Sequence, residues 1–405
     1  MIQAKDELIL GIDLNAEYAQ VTYWHQSVRE PETLGVRDGT QQLPPGMEQT
    51  EEYPAVDRVF EKIEKGEPIE SNGIVYETGE ILAAYLRLCI ADLKLLTDNT
   101  VLHVMVTVRQ LDESLNQVIV DALQRLGVDR KRIYVQDYLS SFYYHTVNQK
   151  KELWMQDVAL LTWESEEVVG YVLHIDRSTK PAIASVDPVA RQPMTEEVRA
   201  GRSEEDWNKE KDRLFFELLK KVFERRTVSV SYLMGDYFNK SWAKRSIQFL
   251  CTGRRAWQGM NLYSKGACYA AMERAGLIPP REILYGGMDM VDRNIGMEMR
   301  IRGKDSWYPL VNAGVNWYEV HHVCEFILHG EREIRLFSRP MDPNGLSVEH
   351  TMRLPGLPRR PDRATRLRLT VYFSSPSHCH IDVEDLGFGG LYKSSGMSWS
   401  RDVRF

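Results

Sequence analysis

The segment that most constrains the fold of this chain is an N-terminal hairpin, residues 8–24, with the sequence LILGIDLNAEYAQVTYW. An apolar run ends near Asp13, a short polar turn follows, and a second run alternates Ala19, Val21 and Tyr23. Two strand-like runs joined by a short polar turn predict a β-hairpin. Because Asp13 closes an apolar strand, we predict that the hairpin carries one buried acid at its turn.

Composition limits the classes of partner. The chain has 405 residues, an apolar fraction of 43% and a formal net charge of −7, so we expect two or three domains and no general binding to nucleic acid or anionic membranes. The sequence shows neither a basic and apolar leader nor an apolar stretch of transmembrane length, which predicts a cytoplasmic protein. Five scattered cysteines form no CxxC pair, so no disulfide framework or zinc knuckle is predicted.

Hydrophobic periodicity predicts an α/β arrangement up to about residue 276. Apolar strands alternate with amphipathic helices, which is the pattern of an α/β layer. A second hairpin near the middle of the chain has a predicted exposed turn at residues 163–167. The predicted helices cover residues 78–96, 112–126, 138–144, 203–225, 242–250 and 263–275, and the predicted strands cover residues 101–108, 132–136, 157–162, 168–174 and 228–234.

The last third of the chain has a different sequence pattern. Residues 277–293 combine a Pro pair with a Gly pair, which is typical of a connector. Beyond it, short alternating runs separated by turn residues have the spacing of a small β-sandwich. These predicted strands lie at residues 320–328, 334–337, 347–354, 366–373 and 379–383. We therefore predict one domain over residues 1–287 and a β domain over residues 288–405.

The order of these segments resembles that of the DnaK-type heat-shock chaperones of the actin and hexokinase superfamily. LILGIDLN resembles the family's first phosphate hairpin, and VALLTWESEEVVGYVL resembles its second. IYVQDYLSSFYY resembles the start of a helix with an acidic position, VSVSYLMGDYF the adenosine motif, and LPGLPRRPDRATRLRLTVYF the turn and strands of the peptide-binding domain. The resemblance covers most of the chain. It implies an actin-like ATPase domain of duplicated ribonuclease H-like fold with a reduced second half, then a C-terminal β-sandwich without a helical lid.

The resemblance also implies which positions correspond to a nucleotide site. The vestigial catalytic candidates are Asp13 and Asp137. The cofactor-binding positions carried over in this way are Gly11, Asp13, Asn15, Thr162, Gly235 and Asp236.

Departures from the family's motifs argue against ATP hydrolysis. The first turn has Asn15, Ala16 and Glu17 where the family is rich in Gly, Thr and Ser, and a carboxylate about 4 Å from a phosphate charge costs roughly 4 kcal/mol at an effective dielectric near 20. In the second hairpin, Trp163 and Glu164 replace the glycine cradle. Two acids without donors for the phosphates do not supply the positioning and charge stabilisation that phosphoryl transfer needs. We therefore predict a pseudo-ATPase with no assigned cofactor, and ATP or ADP with Mg²⁺ stays an alternative.

These features predict a chaperone-like protein-binding or assembly protein whose partners are protein or peptide clients. Two alternatives stay open, namely a divergent nucleotide-binding ATPase of the DnaK type and an actin-like structural subunit. The sequence also leaves the oligomeric state open.

A row of polar side chains in the predicted β domain has the residue types of a metal site. His378, His380, Asp382 and Glu384 alternate with apolar residues, so they share one face of a strand. Imidazole and carboxylate groups suit a transition metal. The sequence shows no third anchoring segment, so we interpret the row as a solvated strand face and predict no metal. We likewise interpret the arginine-rich run at residues 353–368 as a solvated loop.

Overall fold

The structure is a computed structural model that describes residues 6–35, 42–71, 73–93, 100–164, 166–178, 180–195, 199–235, 237–238, 241–287, 289–330, 332–341 and 345–404, without the side chains of Asp6 and Glu164. The protein is mixed α/β, as the sequence predicts, and divides into two compact units, Met1–Tyr285 and Gly286–Phe405. In the described part of the chain, no helix is both long and apolar enough to cross a membrane.

The first half of the first unit is built on a five-stranded sheet. Its elements are β1 (Asp6–Leu14), β2 (Ala19–His25), β3 (Glu32–Thr33), α1 (Val59–Glu64), β4 (Ile69–Ser71), β5 (Ile74–Tyr76), α2 (Thr78–Ile90), β6 (Thr100–Val108), α3 (Glu113–Arg125), β7 (Ile133–Asp137) and α4 (Tyr138–Val147). The sheet order is β3-β2-β1-β6-β7, and β4 and β5 form a separate two-stranded sheet. Strands β1, β6 and β7 run parallel, whereas β2 is antiparallel to β1 and β3 is antiparallel to β2.

Strand β1 is apolar over most of its length because both of its faces are covered. Leu8, Leu10 and Ile12 belong to a core shared with α2 and α3, and Ile9 belongs to a second core. An apolar strand buried on both faces is typical of the centre of a sheet that contains parallel strands. This burial places Asp13, near the end of β1, inside the protein.

The second half of the first unit contains a six-stranded sheet. Its elements are β8 (Asp157–Glu164), β9 (Glu167–Asp176), β10 (Ala182–Pro193), α5 (Glu204–Phe223), β11 (Val228–Met234), α6 (Lys244–Cys251), β12 (Arg255–Gly259), α7 (Leu262–Arg274) and β13 (Ile283–Tyr285). The order is β12-β11-β8-β9-β10-β13. Strands β8, β11 and β12 run parallel, whereas β9 is antiparallel to β8 and β10 is antiparallel to β9. Apart from β13, the order β10-β9-β8-β11-β12 and the strand directions repeat the order β3-β2-β1-β6-β7 and the directions of the first sheet.

The last helix of each half packs on the other half. Phe142 and His145 of α4 meet the ring of Tyr232 in β11 edge to face, with centroids 5.9 and 5.4 Å apart. In the opposite direction, α7 packs against β1, and Gly266 of α7 approaches the backbone of Ser141 in α4 so closely that a Cβ atom there would lie 1.9 Å from the Ser141 carbonyl oxygen. The two halves therefore share an interior built from α4 and α7.

The second unit consists of two antiparallel four-stranded sheets. Its strands are β14 (Arg293–Ile301), β15 (Lys304–Val311), β16 (His321–Ile327), β17 (Glu333–Pro340), β18 (Val348–Arg353), β19 (Arg366–Ser375), β20 (His378–Gly387) and β21 (Ser398–Arg404). The orders are β15-β14-β17-β18 and β16-β19-β20-β21. Residues from both sheets, such as Leu336 and Leu369, belong to one hydrophobic core.

The structure corrects several predicted boundaries. Helix α2 ends at Ile90 rather than at residue 96, and residues 94–96 lie outside the described part of the chain. The predicted five-residue turn at residues 163–167 is wrong, because β8 and β9 stay paired from Trp163 with Val168 to Glu164 with Glu167. Strands β10, β12, β14, β15 and β21 do not stand out in the sequence periodicity.

Candidate functional site

Asp13 lies near the end of β1, at the carboxyl edge of the three parallel strands. Its backbone pairs with Gln20 of β2 and with Thr107 of β6. Strand β7 ends on the same edge, where Val108 of β6 pairs with Asp137. The sheet topology therefore brings the two predicted acids to one edge.

The carboxyl group of Asp13 is sealed from solvent. The residue is 1% exposed, and its Oδ1 accepts a hydrogen bond of 2.6 Å from the hydroxyl of Tyr138. Burial raises the pKa of Asp13 to about 7, although hydrogen bonds from Tyr138, Asn15 and Tyr18 and the positive charge of Arg109 act in the opposite direction. Desolvation thus outweighs every favourable partner, and near neutral pH a large fraction of this side chain is an uncharged acid.

Tyr138 covers Asp13 and is itself held by an aromatic stack. Its ring lies on the ring of Tyr263 from α7, with centroids 3.9 Å apart and planes 8° apart. Burial, followed by the negative charge of Asp13, raises the pKa of Tyr138 well above its usual range, so the hydroxyl keeps its proton and donates. Asp13 therefore takes the hydrogen bond of 2.6 Å from a neutral donor.

In the turn of the first hairpin, a side chain of the turn itself accepts hydrogen bonds from the backbone N–H groups. Oδ1 of Asn15 accepts hydrogen bonds from the backbone N–H groups of Glu17 at 2.9 Å and of Tyr18 at 3.0 Å. A phosphate-binding loop instead leaves such N–H groups pointing at the anion. Two of the turn's donors are thus engaged, and the exposed Glu17 adds a negative charge.

Asp137 caps helix α4. Its Oδ1 accepts a hydrogen bond of 2.7 Å from the backbone N–H of Ser140, and burial raises its pKa against the effect of that bond. Its carbonyl accepts from Thr107 at 3.1 Å, Thr107 accepts from Ser141 at 2.7 Å, and Ser141 accepts from Gln136 at 2.6 Å. Each donor in this buried chain has an acceptor, so Asp137 and its neighbours stabilise the junction of β6, β7 and α4.

Gly11 is a packing residue in the structure. A Cβ atom at this position would lie 2.2 Å from the carbonyl oxygen of Ser264 and 2.3 Å from the backbone nitrogen of Cys268, both on α7. The hydroxyl of Ser264 also lies 2.8 Å from Oε1 of Gln20 and 2.8 Å from the hydroxyl of Thr22. The backbone of α7 therefore occupies the space beside Gly11 and is fixed to the first hairpin.

The other predicted nucleotide positions lie at the carboxyl ends of β8 and β11. Thr162 is buried, and Gly235 has a φ of 110°, which favours glycine. A Cβ atom at Gly235 would also lie 3.2 Å from the carbonyl oxygen of Trp163. Asp236 lies outside the described residues.

An aromatic cluster lies beside these two strand ends and consists of Trp163, Phe215, Tyr237, Phe238 and Trp242. Trp163 stacks on Tyr237 at 5.5 Å and meets Phe238 and Trp242 edge to face at 5.8 and 5.5 Å. Phe215 of α5 packs on Phe238 at 5.2 Å. The aromatic cluster therefore fills the region next to Gly235 with apolar rings.

Sequence reasoning placed the buried acid correctly but missed its partner. Tyr138 and Asp13 are 125 residues apart, and Tyr263 comes from still another segment. No local pattern joins these three residues. The only sequence signal is that a buried carboxyl needs a donor, which leaves every Tyr, Ser and Thr of the chain as a candidate.

Comparison with known families divides the chain close to the unit boundary. A family described as "Domain of unknown function (DUF8552)" matches residues 290–405. A family described as "Family of unknown function (DUF5716) C-terminal" matches residues 20–286, about two thirds of the chain. No curated protein matches the chain. The match over most of the first unit shows that the chain belongs to the DUF5716 family.

Proposed function

We propose that this protein is a chaperone-like protein-binding or assembly protein whose ATPase-type domain is degenerate. The observation that carries the proposal is the closure of Asp13, which is 1% exposed and accepts a hydrogen bond from Tyr138. An acid that orders a metal-bound water must be ionised and open to solvent, whereas burial raises the pKa of this one to about 7. Its surroundings favour a packing role over phosphoryl transfer.

The topology of the first unit supports an actin-like fold built from two ribonuclease H-like halves. Both sheets have the same strand order and directions, and each half sends its last helix onto the other half. A reduced second half is supported by the elements that lie between β3 and β6 in the first half and between β10 and β11 in the second half. The first half has α1, β4, β5 and α2 there, whereas the main element described in the second half is α5.

Two further features support the loss of nucleotide chemistry. Asn15 engages the backbone N–H groups of Glu17 and Tyr18 within the turn, which removes donors that a phosphate would need. At the second hairpin, the ring of Trp163 is packed into the aromatic cluster, next to the Gly235 backbone. Admitting a phosphate there would require breaking apolar contacts and leaving the anion without donors.

The second unit supports peptide binding. We propose that its two antiparallel sheets form a β-sandwich, because their residues share one core. Strand β16 lies at the end of its sheet, and Val323 and Ile327 on it are 47% and 50% exposed. An end strand with exposed apolar side chains can pair with an extended peptide through backbone hydrogen bonds.

Aggregation of a chemically unfolded model enzyme, followed by light scattering, tests the proposal. The intact protein should suppress aggregation to the same extent with and without Mg-ATP. Val323→Glu places a charge on the end strand and should weaken suppression, whereas Leu391→Glu, at another exposed apolar residue, should leave it unchanged.

Two results would contradict the proposed function. One is a wild-type protein that leaves aggregation unaffected at a molar excess over the client. The other is suppression that appears or disappears on addition of Mg-ATP, which would indicate an active nucleotide switch.

A further inference from the structure

Two histidines and one aspartate converge across strands β20 and β21. His378 and His380 are two residues apart on β20, so their side chains lie on the same face of the strand. Strand β21 runs antiparallel beside β20 and pairs its Asp402 with His380. The anchoring segment that the sequence did not reveal is therefore the neighbouring strand.

The ring nitrogens of both histidines face the carboxylate of Asp402. Nδ1 of His380 lies 2.8 Å from Oδ1, and Nε2 of His378 lies 3.8 Å from Oδ2. One nitrogen of each ring and one carboxylate oxygen all lie within 4.8 Å of one another. Two tetrahedral ligands at a zinc distance of about 2.1 Å are about 3.4 Å apart, so metal binding needs the ligand atoms to approach one another by up to about 1.4 Å.

Ser374 fixes the outer nitrogens of the two rings. Its hydroxyl oxygen lies 3.2 Å from Nδ1 of His378 and 2.7 Å from Nε2 of His380. Because a hydroxyl oxygen accepts two hydrogen bonds, both neutral rings can donate outward to Ser374. Their inner nitrogens then turn lone pairs toward a carboxylate, an arrangement that a cation between them stabilises. Metal-binding histidines are commonly oriented by such an outer hydrogen bond.

An ordinary ion pair does not account for the whole cluster. If His380 simply paired with Asp402, Nε2 of His378 would stay buried, and that atom has no hydrogen-bond partner among the described residues. By contrast, His329 and Asp362 form an exposed pair at 2.7 Å that joins no three-residue ligand cluster in the described part of the chain.

Other side chains near the cluster do not compete for a metal. Cys379 is buried in the hydrophobic core, on the face of β20 opposite to the two histidines. Glu384 accepts a hydrogen bond of 3.3 Å from Arg368. The row interpreted from the sequence therefore divides, because the ligand cluster contains Asp402 and not Asp382 or Glu384.

We propose that His378, His380 and Asp402 form a binding site for a divalent transition metal ion of the zinc class. The ligand atoms are Nε2 of His378, Nδ1 of His380 and a carboxylate oxygen of Asp402. Three protein ligands leave a fourth tetrahedral position for water or for a group of a partner, as in open zinc sites. The side chain of Asp402 is 63% exposed, so the ion can enter from solvent.

Isothermal titration calorimetry of the full chain with ZnCl₂ tests this site, with Co²⁺ absorption as a second readout of coordination. Wild-type protein should bind one ion per chain. Asp402→Asn keeps the size of an exposed side chain, and His378→Ala leaves the close pair of His380 with Asp402 intact. Since removing a group that only orients a metal ligand costs about 10–100-fold in metal affinity, each substitution of a ligand should lower the affinity by at least about 100-fold.

His329→Ala is the matched control, because it removes one histidine from an exposed pair in the same unit. Its zinc affinity should equal that of wild type, and circular dichroism should show that all variants are folded. The proposal is overturned if wild type takes up no zinc at micromolar concentrations. It is also overturned if folded Asp402→Asn and His378→Ala bind zinc as wild type does.

Discussion

The carboxyl group of Asp13 makes stability depend on pH. Its folded pKa is about 7, and its unfolded value is near 3.8, because burial disfavours the ionised form. Between these two values the folded state binds more protons than the unfolded state. Stability contributed by the protonated acid is therefore fully present below about pH 4 and is lost as pH rises toward 7.

Replacing Asp13 with asparagine should remove this dependence. Asn keeps an oxygen for the Tyr138 hydroxyl but does not ionise. Relative to wild type, the Asp13→Asn variant should gain roughly 2–3 kcal/mol of stability when pH rises from 5 to 8. Hydrogen exchange on β1 and β6, corrected for the intrinsic exchange rate, measures this difference. An equal response to pH in both proteins would show that Asp13 is ionised and well solvated in the fold.

The difference between Asp13 and Tyr138 shows what a sequence can and cannot predict for single residues. An acid at the end of an apolar strand is visible as a pattern, and its burial follows from that pattern. Tyr138 is one of 19 tyrosines, and only tertiary packing selects it as the donor. Asn15, by contrast, bonds within its own turn, so the local sequence suffices to explain it.

Among the elements, helix α7 packs closely against its neighbours at two glycines. Gly11 of β1 and Gly266 of α7 each lie against backbone atoms of a neighbouring element, at distances that leave no room for a methyl group. The sequence predicts this helix over residues 263–275. That Gly11 contacts the same helix does not follow from the sequence, where it resembles a phosphate-loop glycine.

The contact of α7 with β1 predicts a strong effect of Gly11→Ala. The added methyl group would overlap the backbone of Ser264 and Cys268, and backbone moves less easily than a side chain, so we expect a loss of about 3 kcal/mol or more. Gly35→Ala is the control, because no atom of the described residues lies within 4 Å of its Cβ position and its φ is not left-handed. Urea midpoints compare the two variants. Similar midpoints for both would mean that α7 does not pack on β1 as described.

The loop after β20 is organised by a buried ion pair. Asp385 receives two hydrogen bonds of 2.7 Å from Arg360 and further bonds from Gly387 and Ser395. The side chains of Arg360 and Asp385 are 4% and 0% exposed. The interpretation of the whole arginine-rich run as a solvated loop is therefore wrong for Arg360, because its partner lies 25 residues away and leaves no local signal.

This ion pair predicts a pH-dependent loss of stability in Asp385→Asn. The guanidinium of Arg360 holds the pKa of Asp385 below its usual range, so its stabilisation is present above about pH 4 and lost as pH falls. Leaving the arginine unpaired should cost roughly 3–5 kcal/mol at pH 7. Calorimetry should show a lower unfolding temperature for this variant. The control Asp362→Asn, which changes the exposed pair of Asp362 with His329, should unfold at the wild-type temperature. The difference in unfolding temperature between wild type and Asp385→Asn should shrink below pH 4. A difference that widens there would contradict the predicted direction of the pH dependence.

Element boundaries were predictable where one face is strictly apolar. Strand β11 coincides with the predicted residues 228–234, and Ser203 caps α5 as its sequence indicates. Strand β10 contains two prolines and a bulge, and β21 has few apolar residues, so neither has a clear period. Because the sequence does not predict β21, it gives no reason to place Asp402 beside His378 and His380.

At the scale of the whole molecule, the arrangement of the first unit can be explained by repetition. Two sheets of equal strand order exchange their last helices, and the predicted site residues lie at the carboxyl ends of their central strands. We propose that packing has replaced nucleotide chemistry at the carboxyl ends of the central strands in both sheets. Tyr138 closes the first, and the aromatic cluster closes the second.

Thermal unfolding of the intact protein with and without millimolar Mg-ATP and Mg-ADP determines whether a nucleotide binds. A nucleotide present at a hundred times its dissociation constant would stabilise the fold by about 2.7 kcal/mol, which raises the unfolding temperature of a unit of this size by roughly 4–5 °C. We predict the same unfolding temperature in all three conditions. A clear upward shift that disappears in Asp13→Asn would contradict the account and identify Asp13 as part of a working nucleotide site.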